Sequence, residues 1–486
     1  DPSIWLVVFA AAIYGVFVGA TPGLTATMAV ALFVPLSYWM SDVAAIAAIV
    51  TMVACAIFAG DIPTTLLRIP GTPASAAYAA DAYRFTQRGE SDRILGIALV
   101  SSVLGGLFGV VVLIFLGSLL APLAVHFAAP EYFWLYLLGL SCAVLVSRSS
   151  TLKALLALLI GLLLSMVGLS EAHTQARFTF GQSELYQGIN FIPAMIGLFG
   201  LSEVLKNLIE LQSASEVPTE SQRQAGKPDP HGGIFRGAWN LITQRIPAFF
   251  RSSSLGTLIG MLPGAGADIA AWVSMAFTRK KKDEDEPSPE PISDATTANS
   301  SALAGGWVPT LVFGIPGDSV TAIVIGVLMM KNVKPGPQIF SQQPKLVMSI
   351  YFLFLLANLI LLPVGWLAIK LGGLVVRTPR RVLLAVIVLF CIVGSYSLNA
   401  SYFDVLTMAV MGVLGLILDR RQIPLAPVVL GLLLGGPLEA RFLQTLSSAD
   451  GPPLLAFFSR PIAAILGILC IVIWIRFAKA SDRVTS

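Results

Sequence analysis

The sequence predicts an all-α polytopic membrane protein with roughly 10–12 transmembrane segments, re-entrant or broken helices, and two inverted repeats. Three observations carry this expectation. Apolar runs recur from end to end, charged residues are scarce, and Pro-Gly pairs interrupt the apolar runs at matching places in the two halves.

Of the 486 residues, 56% are hydrophobic and 12% are charged. A soluble domain is about a quarter charged, so burying these residues in water-soluble cores would leave too little polar surface. The runs at 94–125, 154–169, 346–369 and 461–475 are the clearest, and the longer ones reach the roughly 20 residues that a bilayer core requires. They are too many and too dispersed for a signal peptide. The chain begins at Asp1 rather than Met, so a short preceding piece is expected.

The four cysteines, Cys55, Cys142, Cys391 and Cys470, sit inside apolar runs without CxxC spacing. They read as small packing residues rather than disulfides or metal ligands. The three histidines, His126, His173 and His231, are scattered at expected loops and helix ends. With no HExxH, no Cys/His cluster and no serine beside an evident base, nothing points to an enzyme. No metal, cofactor or nucleic-acid partner is expected.

Basic residues orient such a chain, because cytoplasmic loops collect Lys and Arg. Arg84, Arg88 and Arg93 mark one loop, and Arg148 with Lys153 another. Arg223, Lys227, Arg236 and Arg245 mark the polar stretch 211–250. The run 279–282, Arg377 with Arg380 and Arg381, Arg420 with Arg421, and the C-terminus with Arg476, Lys479 and Arg483 complete the set. Placing these inside leaves 122–131, 171–189, 399–403 and 437–460 outside; Arg177, Arg441 and Arg460 run against the bias. The expected units are a first membrane repeat at 1–210, a cytoplasmic polar linker at 211–250, and a second repeat at 251–440. That repeat holds a charged, solvated loop at 279–298, and a C-terminal loop and transmembrane helix follow at 441–486.

The repeat is read from two patterns. Gly15, Gly19, Pro22, Gly23 and Ala26 recur as Gly256, Gly260, Pro263, Gly264 and Ala267. Pro63, Thr64, Ile69, Pro70, Gly71 and Ala76 recur as Pro309, Thr310, Ile315, Pro316, Gly317 and Ala322. Glycine-rich membrane helices produce GxxxG matches by composition alone, which would account for the first pattern but not the second. The loop charges then set the halves antiparallel, although Lys331, Lys334 and Lys345 weigh against it. Inverted repeats with interrupted helices are the pattern of secondary transporters.

Each Pro-Gly pair removes a donor and admits unusual backbone angles. Lipid cannot satisfy the backbone groups released, so such breaks belong inside protein or beside a wet cavity. Helix N-termini left at the breaks favour anions. Small polar residues follow each break: Thr25 and Thr27 after Gly23, Thr72 and Ser75 after Gly71, Asp268 after Gly264 and Gly266, and Ser319 and Thr321 after Gly317. Taken singly, each hydroxyl could simply cap a helix; as four clusters they outline one binding site for a small anion. A channel is the alternative, since broken helices also build filters.

Six stretches resemble the large membrane subunit of the tripartite tricarboxylate transporter family. They are GATPGLTAT at 19–27, RIPGTPASA at 68–76, PEYFWLYLLGLS at 130–141, RFTFG at 177–181, MLPGAGADIAAW at 261–272 and GIPGDSVTA at 314–322. The resemblance implies secondary active uptake of a tri- or dicarboxylate across a bacterial inner membrane, driven by Na+ or H+. It also implies a periplasmic solute-binding protein and a small four-helix membrane subunit as partners. The chain departs from the family pattern at Arg68, where Asn is usual, at Asp61, where a small hydroxyl residue is usual, and at Asp318, where Ser is usual. Of the polar stretch before the second Pro-Thr it keeps Asn299.

Ionisable groups at membrane depth cost about 2.5–3.5 kcal/mol on insertion scales, so each needs a reason. Arg68 is expected either to grip a substrate carboxylate with both prongs or to pair with Asp61 or Asp318. Asp268, one turn past a break, is a candidate for the coupling ion or an acid favoured by the helix dipole; Asp318 and Asp61 are candidates for the same coupling role. Glu203 and Lys206 are placed at a cytoplasmic helix end, Asp404 and Asp419 at interfaces. Tyr14, Trp39, Tyr132 and Trp134 read as anchors or packing.

Overall fold

A computed structural model describes residues 2–21, 23–147, 149–170, 175–213, 235, 237–278, 287–375, 380–448 and 452–485. Pro22, Arg148, His173, Arg223, Lys227, His231, Arg236, the 279–282 run and Arg377 lie outside the described residues. The first half holds α1 (Pro2–Ala20), α2 (Ala26–Tyr38), α3 (Asp42–Ala59), α4 (Asp61–Leu67), α5 (Ala79–Gln87), α6 (Ser91–Ala124), α7 (Ala129–Leu145), α8 (Thr151–Ser165), α9 (Phe191–Met195) and α10 (Ser202–Ser213). The second holds α11 (Ala238–Gln244), α12 (Ile246–Gly260), α13 (Gly266–Thr278), α14 (Pro289–Phe313), α15 (Ser319–Met330), α16 (Gln338–Gln342) and α17 (Pro344–Val375). It continues with α18 (Arg380–Asn399), α19 (Tyr402–Arg420), α20 (Leu425–Ser447), α21 (Pro453–Ala456) and α22 (Pro461–Thr485). A two-residue antiparallel hairpin, β1 (Gly168–Leu169) with β2 (Ala176–Arg177), is the one sheet among the described residues.

Seven helical stretches of the described chain are long and apolar enough to cross a membrane: Ser3–Ala20, Asp42–Leu67, Ser91–Ala124, Phe191–Ile209, Pro344–Leu371, Tyr402–Arg420 and Leu425–Ser447. Shorter apolar helices, among them Ala26–Tyr38 and Ser319–Met330, supply half-length pieces. The protein is therefore all-α and polytopic.

Two helices are enclosed on every side, α3 from Ala44 to Ala59 and α14 from Ile292 to Val312. They hold equivalent places in the repeated sequence. Gly15 and Gly19 of α1 lie so close to α3 that a β-carbon on either would come 2.3 Å from the carbonyl oxygen of Met52 or Ala56. Gly256 and Gly260 of α12 approach Ala298 and Ala302 of α14 at the same 2.3 Å. Small residues thus let backbones touch where hydrophobic burial gives no drive inside lipid. The helix ends match as well. Arg68 and Gly314 both close their helices in the left-handed region, at φ 58° and 70°. Ile69 N donates to Pro63 O at 3.4 Å, and Ile315 N to Pro309 O at 3.2 Å.

Several boundaries differ from the sequence expectation. The loop expected at 279–298 gives way at Pro289 to α14, whose residues from Ile292 on are buried. Ser288 caps that helix through Glu290 N at 3.3 Å, and Pro289 suits its first turn. Its acid, Asp294, is only 3% exposed because Arg245 and Arg251 meet it there. Within 211–250, α11 and the start of α12 are helical. The connection expected at 437–460 is shorter, since α20 runs through Pro437 to Ser447. Of the two roles expected for Trp134, packing is the one observed: it is buried and its indole N–H donates to Phe457 O at 2.8 Å. Asp404 is likewise buried, taking hydrogen bonds from Asn190 and Asn399.

Arg177, in the hairpin, grips Glu439 of α20 with two bonds of 2.8 and 2.9 Å. Both side chains are about a third exposed or less (27% and 33%), and partly solvated pairs of this kind contribute about 0–1 kcal/mol. Arg177→Ala is therefore expected to lower the thermal unfolding midpoint only slightly in detergent. A large drop would show that the hairpin holds the fold together.

Candidate functional site

The four breaks meet at one cavity of about 290 Å³, near the lower end of the roughly 300–1,000 Å³ range of small-molecule sites. Thr25 and Thr27 reach it from the break before α2, Thr72 from the turn after α4, and Gly264, Gly266 and Asp268 from the break before α13. Asp318 and Ser319 reach it from the start of α15, and Asn299 from the middle of α14. A larger cavity of about 1,000 Å³ is lined by Arg177, Glu439, Leu432 and their neighbours. Among the described residues, none from the four breaks contributes to its wall, so the smaller one, where polar groups and helix starts converge, is the candidate site.

The walls are built by local chemistry. Gly23, Gly264 and Gly266 turn the chain at φ 89°, 80° and 67°, angles that side chains resist. Thr25 caps α2 by accepting Met28 N at 3.2 Å. Thr72 and Ser75 cap each other: Ser75 N donates to Thr72 Oγ1 and Thr72 N to Ser75 Oγ, both at 3.1 Å. Asp318 and Thr321 repeat this arrangement, with Thr321 N donating to Asp318 Oδ1 at 2.8 Å and Asp318 N to Thr321 Oγ1 at 2.9 Å. Gly71 and Gly317 do not line the cavity; they let each turn press on a helix. A β-carbon on Gly71 would meet Gly60 O at 2.5 Å, and one on Gly317 would meet Gly306 Cα at 2.6 Å. Thr64 Oγ1 takes Gly71 N at 3.0 Å and bonds Ser75 Oγ at 2.7 Å, fixing the first turn from behind.

The two halves are joined directly at the site. Asp268 Oδ1 accepts Ala74 N at 3.0 Å, and Trp272 Nε1 donates to Pro73 O at 3.0 Å. Gly264 N donates to Gly317 O at 2.8 Å, tying the third break to the fourth.

Not every expected residue is at the wall. Ser75 and Thr321 are buried behind their partners, and Gly23 faces Asn207, whose Nδ2 donates to Gly23 O at 3.2 Å. Asp61 is 2% exposed and accepts a 2.5 Å hydrogen bond from Tyr78 OH, away from the cavity. Arg68 is exposed and outside the cavity wall, and among the described residues it forms no ion pair with Asp61 or Asp318. The third acid of the wall is Glu203, which its sequence context places at a helix end. A π-helical turn at Ile196–Leu201 carries it inward together with Leu198, Phe199 and Ser202. The available signal was an acid within the apolar stretch 191–209.

Broken helices around a polar cavity in a bundle of apolar helices define a multi-pass membrane protein with an internal solute-sized site. The model of the tripartite tricarboxylate transporter TctA family matches residues 5–430, and the chain belongs to that family. It is thus a membrane component of a transporter rather than an enzyme. An uncharacterized 52.8 kDa protein in the TAR-I ttuC' 3' region of Agrobacterium vitis is 32% identical over 473 residues, spanning 96% of this chain and 92% of the relative. A second uncharacterized protein, in the TAR-II ttuC' 3' region of the same organism, is 31% identical over 225 residues, 45% of this chain and 93% of its own. No solved structure matches the chain.

Proposed function

We propose that this protein is the permease subunit of a binding-protein-dependent tripartite system that imports a small organic anion, a tri- or dicarboxylate or a related carboxylate. Uptake is secondary active and coupled to Na+ or H+, in a bacterial inner membrane. A periplasmic solute-binding protein delivers the solute, and a small four-helix subunit accompanies the chain. The observation that carries the reading is the meeting of all four breaks at one cavity. Antiparallel repeats would let part of each half move against the rest and expose that cavity to either side in turn. The anion meets the start of α2 and the hydroxyls of Thr25, Thr27, Thr72 and Ser319; Asp268 and Asp318 serve the coupling ion. Asp61, sealed against Tyr78, would serve only as a proton site apart from the solute.

The test is uptake of labelled carboxylates into vesicles reconstituted with all three components. Asp268→Asn keeps an acceptor for Ala74 N but removes the charge. A hydrogen bond or ion contact to a charged group is worth about 1.5–3 kcal/mol, so uptake is expected to fall about tenfold to a hundredfold. Arg68→Ala, outside the cavity, is expected to stay within about twofold of the parent. Full activity in Asp268→Asn together with loss in Arg68→Ala would place the site elsewhere.

A further inference from the structure

Much of the cavity wall follows the sequence repeat, but its charge does not. Thr25, Ala26 and Thr27 face it from one half, and Gly266, Ala267 and Asp268 from the other. Thr72 and Pro73 are matched by Asp318 and Ser319, and Val53 and Ile57 of α3 by Asn299 and Leu303 of α14. The second half has thus placed Asp268 opposite Thr27, Asp318 opposite Thr72, and Asn299 opposite Val53. Glu203 adds a further carboxylate, and among the described residues no Lys, Arg or His lines the cavity.

That is an unfavourable lining for a bare polyanion. Helix N-termini offer only about half a unit of positive charge each, and two of them are already countered. Asp318 caps α15, and Asp268 lies in the first turn of α13. By contrast, α2 begins with neutral Thr25 and has no acid in its first turn. The hydroxyl oxygens of Thr25 and Thr72 accept backbone N–H groups, which leaves each O–H to donate. The acidic side carries a second and independent sign of a missing ligand. Asn299 is 3% exposed and lines the cavity, and among the described residues its Oδ1 has no hydrogen-bond partner. A buried carbonyl oxygen of this kind is costly unless something electropositive meets it.

Resting on the carboxylate-carrier reading above, we infer that the cavity takes a carboxylate and a positive charge side by side. The positive charge sits against Asp268, Asp318 and Asn299 Oδ1, and the carboxylate against Thr25, Thr27 and Thr72. The positive charge comes either from an ammonium group on the solute itself or from an alkali cation bound with it. In both cases Asp268, Asp318 and Asn299 of the second half form the cation wall, and Thr25, Thr27 and Thr72 of the first half, with Ser319 of the second, form the anion wall.

Succinate and L-aspartate, which differ by one ammonium group, test this on the whole chain in lipid nanodiscs. Binding of each is measured by calorimetry and thermal shift, in NaCl and in N-methyl-D-glucamine chloride. If the cation is a separate ion, succinate binds at least about tenfold more weakly without Na+. If the ammonium is the source, aspartate binds at least about tenfold more tightly than succinate and keeps that advantage without Na+. Asp318→Asn retains an oxygen to cap α15, so the fold is kept. It and Asn299→Ala are expected to erase whichever ratio the parent shows. Equal succinate binding in both salts, no weaker than aspartate, would overturn the inference and leave the carrier reading intact. So would ratios unchanged in both variants. If neither these two solutes nor citrate binds at millimolar concentration in either salt, the carrier reading itself falls, and the inference with it.

Discussion

Replacing Asp294 by alanine is expected to destabilise the protein by about 3 kcal/mol, toward the lower end of the 3–5 kcal/mol typical of a broken buried ion pair. The carboxylate joins three helices. Arg245 Nη1 and Nη2 reach it at 3.2 and 3.1 Å, Arg251 Nη2 at 2.9 Å, and Thr278 Oγ1 donates to it at 2.5 Å. The side chain of Asp294 is 4% exposed, whereas Arg245 and Arg251 are 20% and 37% exposed. Removing the acid therefore leaves two guanidinium groups that water can partly recover, which sets the lower figure. The loss should appear as reduced yield of folded protein and an unfolding midpoint several degrees lower. Because the cluster sits apart from the cavity wall, the surviving folded fraction should transport at the parental rate per molecule. An unfolding midpoint equal to the parent's would show that the arginines are held by something else.

Gly317→Val should be as damaging and should strike the site itself. A β-carbon at this position would lie 2.6 Å from Gly306 Cα and 2.7 Å from Gly260 O. Both are backbone atoms, so no side chain can swing aside, and overpacking costs about 1–3 kcal/mol or more. The strain falls on the turn that presents Asp318 and Ser319 and that accepts Gly264 N. Two breaks would shift together, and uptake should be lost even where the protein still folds. Gly436→Ala is the control: it lies within α20 with no atom within 4 Å of the added carbon. There alanine should be neutral or stabilising by up to about 1 kcal/mol, from helix propensity alone. Near-normal uptake by Gly317→Val would mean that the turn tolerates displacement and that the cavity is not set by this contact.

Much of the architecture was legible in the chain because membranes impose simple rules. Apolar length and scarce charge identify a helical membrane protein, since only helices or closed barrels satisfy the backbone in lipid. The repeated Pro-Gly patterns marked the breaks, and most of the polar residues just after them, from Thr25 to Ser319, do reach one cavity. Those features are local: a proline removes a donor wherever it stands, and a hydroxyl beside a helix start caps it.

What the sequence could not supply was the partner of each charge. Arg68 and Asp318 lie in corresponding turns, yet one faces outward and the other lines the cavity. Asp61 lies three residues from the Thr64 that braces the first turn, but it is claimed by Tyr78. Glu203 looked peripheral until a π turn rotated it inward, and Asp294 looked solvated until two arginines closed over it. The chain by itself determined that it spans a membrane and where its helices break. Only the tertiary structure decided which carboxylates share the cavity and which are neutralised elsewhere. Backbone breaks follow from covalent chemistry at the residue, whereas the fate of a charge depends on groups that the fold brings beside it from other helices.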